Sequence, residues 1–504
     1  MANMINELKI TENTFDKILQ EDILPNKIEE SGTVLSVDSG ISVIRGLNRV
    51  KNEELISFPG DVKGISFNLD ADSVGVILLG NYDHIQSGDK VSRTYEVAKI
   101  PVSDKFIGRV INPLGETLDE KGEVITSEYY PIERKARPIM HRAPVIRPLQ
   151  TGIKVIDSVV PVGKGQRELI LGDRQTGKST IGIDTIINQK GKDVICIYCS
   201  IGQQSSSVAK VIETLRKHNA MEYSIVMVAD PNDPPGVSYL APYSAASMAE
   251  YFMEKGEDVL VIYDDLTKHA RAYREISLLL ERPPGREAYP GDIFFIHSKL
   301  LERSTQLRDE YGGGSFTALP IIETQGENLS AYIATNLISI TDGQIYLSPK
   351  LFQKGNMPAV KIGDSVSRVG GKTQLPSYRK VTNDLKLTYS QFEELESFAS
   401  FGTRLDEDTQ KTLERGRRIR SVLNQRENTP LDVTEQIGIL LAVTTGAFDK
   451  VPLEVIEEAE ELVKEIVNND QSYKDAIFHE KGISEERKNA FLSKVQDVLS
   501  KKWG

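Results

Sequence analysis

Apolar and polar positions along the chain change period from one region to the next. From Gly32 to about Lys99, short alternating stretches (Thr33-Val34-Leu35-Ser36-Val37, Ile41-Ser42-Val43-Ile44, Val74-Gly75-Val76-Ile77-Leu78) are separated by the turn signals Asp38-Ser39-Gly40, Phe58-Pro59-Gly60 and Ser87-Gly88-Asp89. Short strands with such punctuation predict a small all-β barrel. From about Ile100 to Gln374, apolar runs alternate with helical stretches, which predicts an α/β domain with a largely parallel sheet. Beyond it, Leu387, Tyr389, Phe392, Leu395, Phe398 and Phe401, then 437–441, 453–467 and 491–499, keep helical spacing with few strand signals. The last ~130 residues are therefore expected to be all-helical. Ahead of the barrel, Ile5, Leu8, Phe15, Ile18 and Leu19 form an amphipathic pattern too short to fold alone, so this segment is expected to dock on something else. The predicted order is a docking segment (1–25), a β-barrel (26–99), an α/β domain (100–374) and a helical domain (375–504). The acidic run Glu457-Glu458-Ala459-Glu460-Glu461 is expected to form the solvated face of a helix.

The α/β block carries the chemistry. Gly172-Asp173-Arg174-Gln175-Thr176-Gly177-Lys178-Ser179 reads G-x-x-x-x-G-K-S, between the apolar run Glu168-Leu169-Ile170-Leu171 and the helical pattern from Ile181 to Ile187. That is the strand-loop-helix context a phosphate-binding loop needs. Glycines let backbone N–H groups curl around phosphates and the helix N-terminus adds its positive end, while Lys178 neutralises the terminal phosphates and Ser179 ligates magnesium. A second strand, Val259-Leu260-Val261-Ile262-Tyr263, ends in Asp264-Asp265, and Asp264 is expected to orient the metal shell. The strand after the loop ends instead in Ile201-Gly202-Gln203-Gln204, without a carboxylate. Such a site should hold a nucleotide and hydrolyse it poorly.

Composition narrows the classes. A net charge of −12 over 504 residues argues against a nucleic-acid-coating surface. No apolar run approaches the ~20 residues of a membrane span, and the N-terminal residues lack a signal-peptide pattern, so a cytoplasmic or equivalent location is expected. The two cysteines, Cys196 and Cys199, lie in a β-branched apolar strand, which favours structural burial over a redox or zinc motif. The six histidines lack paired ligand spacing, so no zinc is expected.

With barrel, loop, second strand and helical tail in this order, the chain resembles the alpha branch of the F-type ATPase alpha/beta family over nearly its whole length. The matching segments are 165–178, 184–190, Ile262-Tyr263-Asp264-Asp265-Leu266, 282–292 (Arg-Pro-Pro-Gly-Arg-Glu-Ala-Tyr-Pro-Gly-Asp), 340–345 and Ser365-Val366-Ser367-Arg368-Val369-Gly370-Gly371. The resemblance implies a β-barrel, a RecA-like nucleotide domain and a helical bundle, with alternating alpha and beta subunits in a hexamer around a central rotor stalk (gamma). It implies Mg-ATP or Mg-ADP as ligand, stator subunits (delta, b) meeting the N-terminal segment, and indirect coupling to a membrane ion-translocating sector driven by protons or sodium. It implies no nucleic acid, and a peripheral position on the cytoplasmic face of a bacterial plasma membrane or its organellar equivalent.

The family's beta subunits carry Gly-Glu-Arg where this chain has Gly202-Gln203-Gln204. That glutamate polarises the attacking water, and glutamine cannot accept its proton. The resemblance thus implies a noncatalytic, regulatory subunit, catalytically poor alone. It also implies that Arg368 reaches the γ-phosphate of a neighbouring beta site, a task suited to a planar, permanently charged guanidinium. Ser365, from the same motif, is implied to shape that loop. Phe352, Pro358 and Gln425 are implied at the adenine. The chain departs from the family where Arg-Pro-Ala becomes Met357-Pro358-Ala359 and Gln-x-Gln becomes Gln425-Arg426-Glu427, changes that bear on adenine affinity and nucleotide selectivity. A divergent paralogue serving another motor or export task is the alternative reading. A secretion-type export ATPase would need a glutamate at Gln203. An RNA-translocating ring of the Rho type would favour a basic, aromatic barrel path, whereas this barrel holds Glu53, Glu54, Asp61, Asp70, Asp72 and Asp83.

Overall fold

The computed structural model describes residues 30–399, 407–479 and 481–503. The amphipathic segment at 1–25 lies outside the described residues. The chain divides into two compact units, one ending at Val97 and the other beginning at Ala98.

In the first unit, alternating side chains build β1 (Ser31–Asp38), β2 (Ile41–Arg45), β3 (Glu54–Ser57), β4 (Lys63–Leu69), β5 (Val74–Leu78) and β6 (Lys90–Val97). They close into a barrel in the order β1-β2-β5-β4-β3-β6, with β1 and β6 antiparallel at the seam. Inward residues such as Val34, Ile44, Ile56, Val76 and Leu78 fill it, so no sheet edge is left open. Arg93 is held by Glu54 at 2.8 Å and Glu30 at 2.7 Å.

In the second unit, β7 (Val110–Ile111), β8 (Leu169–Gly172), β9 (Val194–Ile201), β10 (Ser224–Ala229), β11 (Asp258–Asp264), β12 (Ser315–Glu323), β13 (Gly343–Leu347) and β14 (Val366–Ser367) form one sheet in the order β14-β13-β8-β12-β11-β9-β10-β7. All these neighbours are parallel except the edge pair β13–β14. Strand β11 is buried along its whole length, as a continuous apolar run in a covered parallel sheet requires. Cys196 and Cys199 are free thiols buried in β9, and burial raises both pKa values. Helices α1 (Lys154–Val159), α2 (Lys178–Ile187), α3 (Ser205–Lys217), α4 (Pro235–Glu254), α5 (Leu266–Leu279), α6 (Ile293–Leu301), α7 (Tyr332–Ile340) and α8 (Pro349–Gln353) connect the strands.

The C-terminal part is helical: α9 (Pro376–Ala399), α10 (Glu407–Leu423), α11 (Val433–Thr444), α12 (Ile456–Asn469), α13 (Gln471–Ile477) and α14 (Glu485–Trp503). Its core is continuous with the sheet's: Ile170, Leu260 and Ile345 belong to one apolar cluster with Tyr378, Ile437, Leu440 and Val463. Buried Asp157 on α1 adds a polar tie, accepting from Thr151 N–H and Oγ1 at 2.8 Å each and from Gln436 Nε2 on α11 at 2.9 Å. Barrel, parallel α/β sheet and helical bundle thus follow one another in the predicted order. One expectation is corrected. In the acidic run on α12, Glu457, Glu458 and Glu461 face solvent, but Glu460 is buried and its Oε2 accepts from Lys154 Nζ at 2.6 Å. Residue 460 falls one turn after Ile456 and just before Val463, on the apolar stripe of the helix. Among the described residues no helix is long and apolar enough to cross a membrane.

Candidate functional site

Strand β8 ends at Gly172 between β12 and β13, and the chain turns from it into α2. Gly177, at the start of α2, has φ +91°, a conformation that strains any residue with a Cβ. The N–H groups of a helix's first turn lack intrahelical partners, so this end of α2 presents donors and a positive dipole to an anion. Lys178 is buried, and its Nζ donates to the Asp173 carbonyl at 2.6 Å, which Thr176 Oγ1 also reaches at 2.8 Å. Burial draws the lysine pKa down, opposed by Glu323, Asp265, Asp264 and Asp173. A phosphate in the loop would give this ammonium the anion it lacks at contact distance. Asp173 is anchored by Thr324 Oγ1 at 2.6 Å, while Arg174, largely exposed, reaches Glu323 at 3.1 Å. Gln175 lies on the cavity side of the loop.

Beside the loop stand two oxygen donors suited to magnesium. Ser179 Oγ donates to Asp264 Oδ2 at 2.6 Å, and Tyr198 OH on β9 donates to the same oxygen at 2.5 Å. A hydroxyl and a carboxylate at this spacing fit a hard cation that arrives with its phosphates and keeps much of its water. Among the described residues no group of three or more His, Cys, Asp or Glu is placed to hold a metal alone. Gln203 closes the site, with Nε2 donating to Asp264 Oδ1 at 2.9 Å and Oε1 accepting from Lys268 Nζ at 2.8 Å. Both ends of its amide are therefore occupied. Asp265 caps α5 by accepting from the Lys268 N–H at 2.8 Å, and burial, with the Asp264 charge beside it, pushes its carboxyl up to about 6.

From the loop a cavity of about 1090 Å³ runs along α2 toward the helical domain. It is lined by Gln175, Thr176, Gly177, Phe352, Pro358 and Gln425, so the loop and the three residues expected at the base share one space. Met357 and Glu427 also line it. The Gln425 amide is already engaged, its Oε1 accepting from the Lys154 N–H at 3.0 Å and its Nε2 donating to Gly152 O at 2.7 Å. Its side chain thus braces the wall of the cavity. Asp184, about two turns along α2 from the loop, is buried and accepts from the Asn428 N–H at 2.8 Å. Burial pushes this carboxyl up to about 7, against that N–H and with help from Glu427.

Arg368 and Ser365 lie elsewhere. Gly343 pairs with Ser367, so Arg368 leaves the edge strand β14 at the N-terminal end of β13, whereas the loop leaves β8 level with Leu347 at the other end. Four residues separate the two levels, about 13 Å of strand. Arg368 is exposed; its N–H donates to Asp342 O at 2.7 Å and a guanidinium nitrogen to Ile338 O at 3.2 Å. Ser365 is buried, accepting from the Tyr346 N–H at 3.0 Å and donating to Lys361 O at 2.7 Å, which pins the approach to β14 against β13.

Four residues of this arrangement were not singled out from the sequence. Tyr198 reads as core because it sits in an apolar strand, and Lys268 as a helix-surface cation. Asp184 looks like one charge in an amphipathic helix. Asp265 had a signal, the doubled aspartate at the end of a buried strand.

Comparison with known families places all three parts. Residues 27–95 match the beta-barrel domain of the ATP synthase alpha/beta family, 152–367 match its nucleotide-binding domain, and 374–498 match its C-terminal domain. The protein is 60% identical over 435 residues to ATP synthase subunit alpha 1 of Shewanella frigidimarina, an alignment that spans 86% of this sequence and 84% of that one. It is 61% identical over 440 residues to subunit alpha 1 of a Marinomonas species, spanning 87% and 86%. Against ATP synthase subunit alpha 2 of Syntrophus aciditrophicus it is 58% identical over 461 residues, spanning 92% and 89%.

Proposed function

The chain belongs to the ATP synthase alpha/beta family, as one of its alpha subunits, and on that premise we propose that it is a noncatalytic, nucleotide-holding member of the ATPase head. The observation that carries this is Gln203: phosphate and metal donors are all present, yet the residue facing Asp264 is an amide with both ends engaged. In this reading Lys178 and the loop N–H groups hold the phosphates of ATP or ADP. Ser179 and Asp264 would hold Mg²⁺, which supplies countercharge to the phosphates when bound. Phe352 and Pro358 bound the base cavity. The residue that faces Asp264 is an amide, which takes no proton from water, so bound nucleotide persists in this reading.

Arg368 serves a different site. Its place on the sheet edge, away from this chain's own loop, supports a role toward the γ-phosphate in the catalytic site of an adjacent beta subunit. Ser365 fixes the strand that carries it. The assembly so formed is the alternating alpha–beta hexamer around a gamma rotor, with delta and b stator subunits at the N-terminal segment, peripheral on the cytoplasmic face. It makes ATP from ADP and phosphate with a proton or sodium gradient, or pumps in reverse.

The test compares two variants in reconstituted complexes. Arg368→Lys keeps the charge and loses the fork, and should lower multisite ATPase by about 10³, the low end for arginines supplied in trans. Lys178→Ala should deplete nucleotide from the noncatalytic site and leave most of the turnover. Near-normal turnover of a properly assembled Arg368→Lys complex would make the arginine structural.

A further inference from the structure

Directly beneath the strand that carries Arg368 lies a carboxyl with no assigned task. Glu168, the residue before β8, is fully buried. Its Oε2 accepts from Gln166 Nε2 at 2.7 Å, and the same nitrogen reaches Ser367 Oγ at 3.1 Å, one residue from Arg368. Its Oε1 has no hydrogen-bond partner among the described residues. The carboxyl fills the space over Gly343: a Cβ there would lie 2.7 and 2.8 Å from its two oxygens and 2.1 Å from Val366 O. Only glycine allows β14 to pass so close to this group.

A buried carboxyl with an open oxygen is stable in two ways, with a proton or with a cation. The charges acting on it are Asp342, which opposes ionisation, and Arg368, which favours it; burial outweighs both and raises its pKa well above the usual range. Arg167, the neighbouring guanidinium, is already taken up by Asp342 at 2.9 Å and Glu302 at 2.5 Å. Arg368 is tied to the cluster through its backbone, and among the described residues its exposed guanidinium hydrogen-bonds only to the Ile338 carbonyl, so no carboxylate holds this charge in place.

We infer that Glu168 is a positioning residue for Arg368, its buried, half-partnered carboxyl drawing the guanidinium back against this subunit when ionised and releasing it toward the neighbouring phosphate when protonated. The inference rests on the proposed role of Arg368 in trans. The proton involved passes to and from solvent, and no bond other than O–H is made or broken. The neighbouring site's turnover should then have an alkaline limb: as pH rises, Glu168 loses its proton, Arg368 is retained and kcat falls.

The experiment is the pH profile of steady-state ATPase in the reconstituted complex, with kcat and KM resolved. Glu168→Gln cannot ionise and keeps the shape that Gln166 and Gly343 pack against. It should match wild type near neutral pH and lose the alkaline limb, exceeding wild type by about tenfold for each pH unit beyond the turning point, with KM unchanged. Superimposable profiles would overturn the inference. Should Glu168→Gln fail to assemble, Asp342→Asn serves instead: it removes the opposing charge and frees Arg167, so the limb should move to lower pH, and an unmoved limb is equally fatal. The two readings fail differently. Near-normal turnover with Arg368→Lys removes the shared-site reading and this inference together, whereas a thousandfold loss with that variant and unchanged profiles with Glu168→Gln removes only the inference.

Discussion

At the scale of single residues, Gln203 sets an amide nitrogen, not a carboxylate oxygen, against Asp264. That nitrogen is bound to its surroundings, donating to Asp264 Oδ1 at 2.9 Å while Lys268 holds the other end. Gln203→Glu would turn an attractive contact with Asp264 into repulsion between carboxylates and give Lys268 a full countercharge at 2.8 Å. The new carboxylate would be drawn to the lysine and away from an attacking water. Turnover by the isolated Gln203→Glu protein is therefore expected to stay below about 1 per second, the low end of enzyme rates. Single-turnover hydrolysis measures this, and a rate at or above that level would show that the missing carboxylate was the only deficit. This scale also separates what the sequence reveals from what it hides. Lys178 and Ser179 are legible because they close a motif of adjacent residues, and Asp264 because it ends a continuous apolar strand. Asp184 and Lys268 acquire their roles from Asn428, 244 residues away, and from Gln203, 65 residues away, which no local pattern encodes.

At the scale of elements, the joint between α1 and α12 shows how a correct period can still mislead. A run of four glutamates reads as a solvated face, and three of them are solvated. The fourth shares the stripe of Ile456, Val463 and Val467 and meets Lys154, itself 1% exposed. Helical position, rather than charge density, decided its fate. Burial lowers the lysine pKa and raises the glutamate pKa, while each partner's charge works against that trend. Both directions mean that desolvation weighs heavily on the pair. Removing one partner leaves an uncompensated buried charge, so Lys154→Met should destabilise the fold by about 3–5 kcal/mol, whereas Lys154→Met with Glu460→Leu should be near neutral or stabilising. Denaturant unfolding of the single and double variants measures the difference. Equal losses in both would show that the pair is worth more than well-packed apolar side chains of similar size. The main sheet and the helical domain were legible at this scale because β11 is a continuous apolar run and α12 keeps one helical stripe along its length.

At the scale of the whole molecule, the nucleotide loop leaves β8 at one end of the sheet, and Arg368 leaves β14, on the far side of β13, at the other. A protein that places its loop at the C-terminal end of β8 and its exposed arginine beyond the N-terminal end of β13 cannot bring both to one phosphate without breaking the β8–β13 ladder, which is paired from Leu169 to Gly172. The sequence announced both motifs; the register of β8, β13 and β14 adds that they leave the sheet at opposite ends. For the purified subunit without partners, this separation gives a sharp expectation. Arg368→Ala should change Mg-nucleotide affinity by less than about twofold, since a charge some 13 Å or more away in salt lies beyond the ~8–10 Å screening length. Lys178→Ala should weaken the same binding by at least about tenfold, because it removes a charge-assisted contact worth about 1.5–3 kcal/mol. Equilibrium titration with a fluorescent nucleotide reads both variants on one scale. Comparable losses for the two would mean that Arg368 folds back onto its own nucleotide, and the division of labour between neighbouring subunits would have to be abandoned.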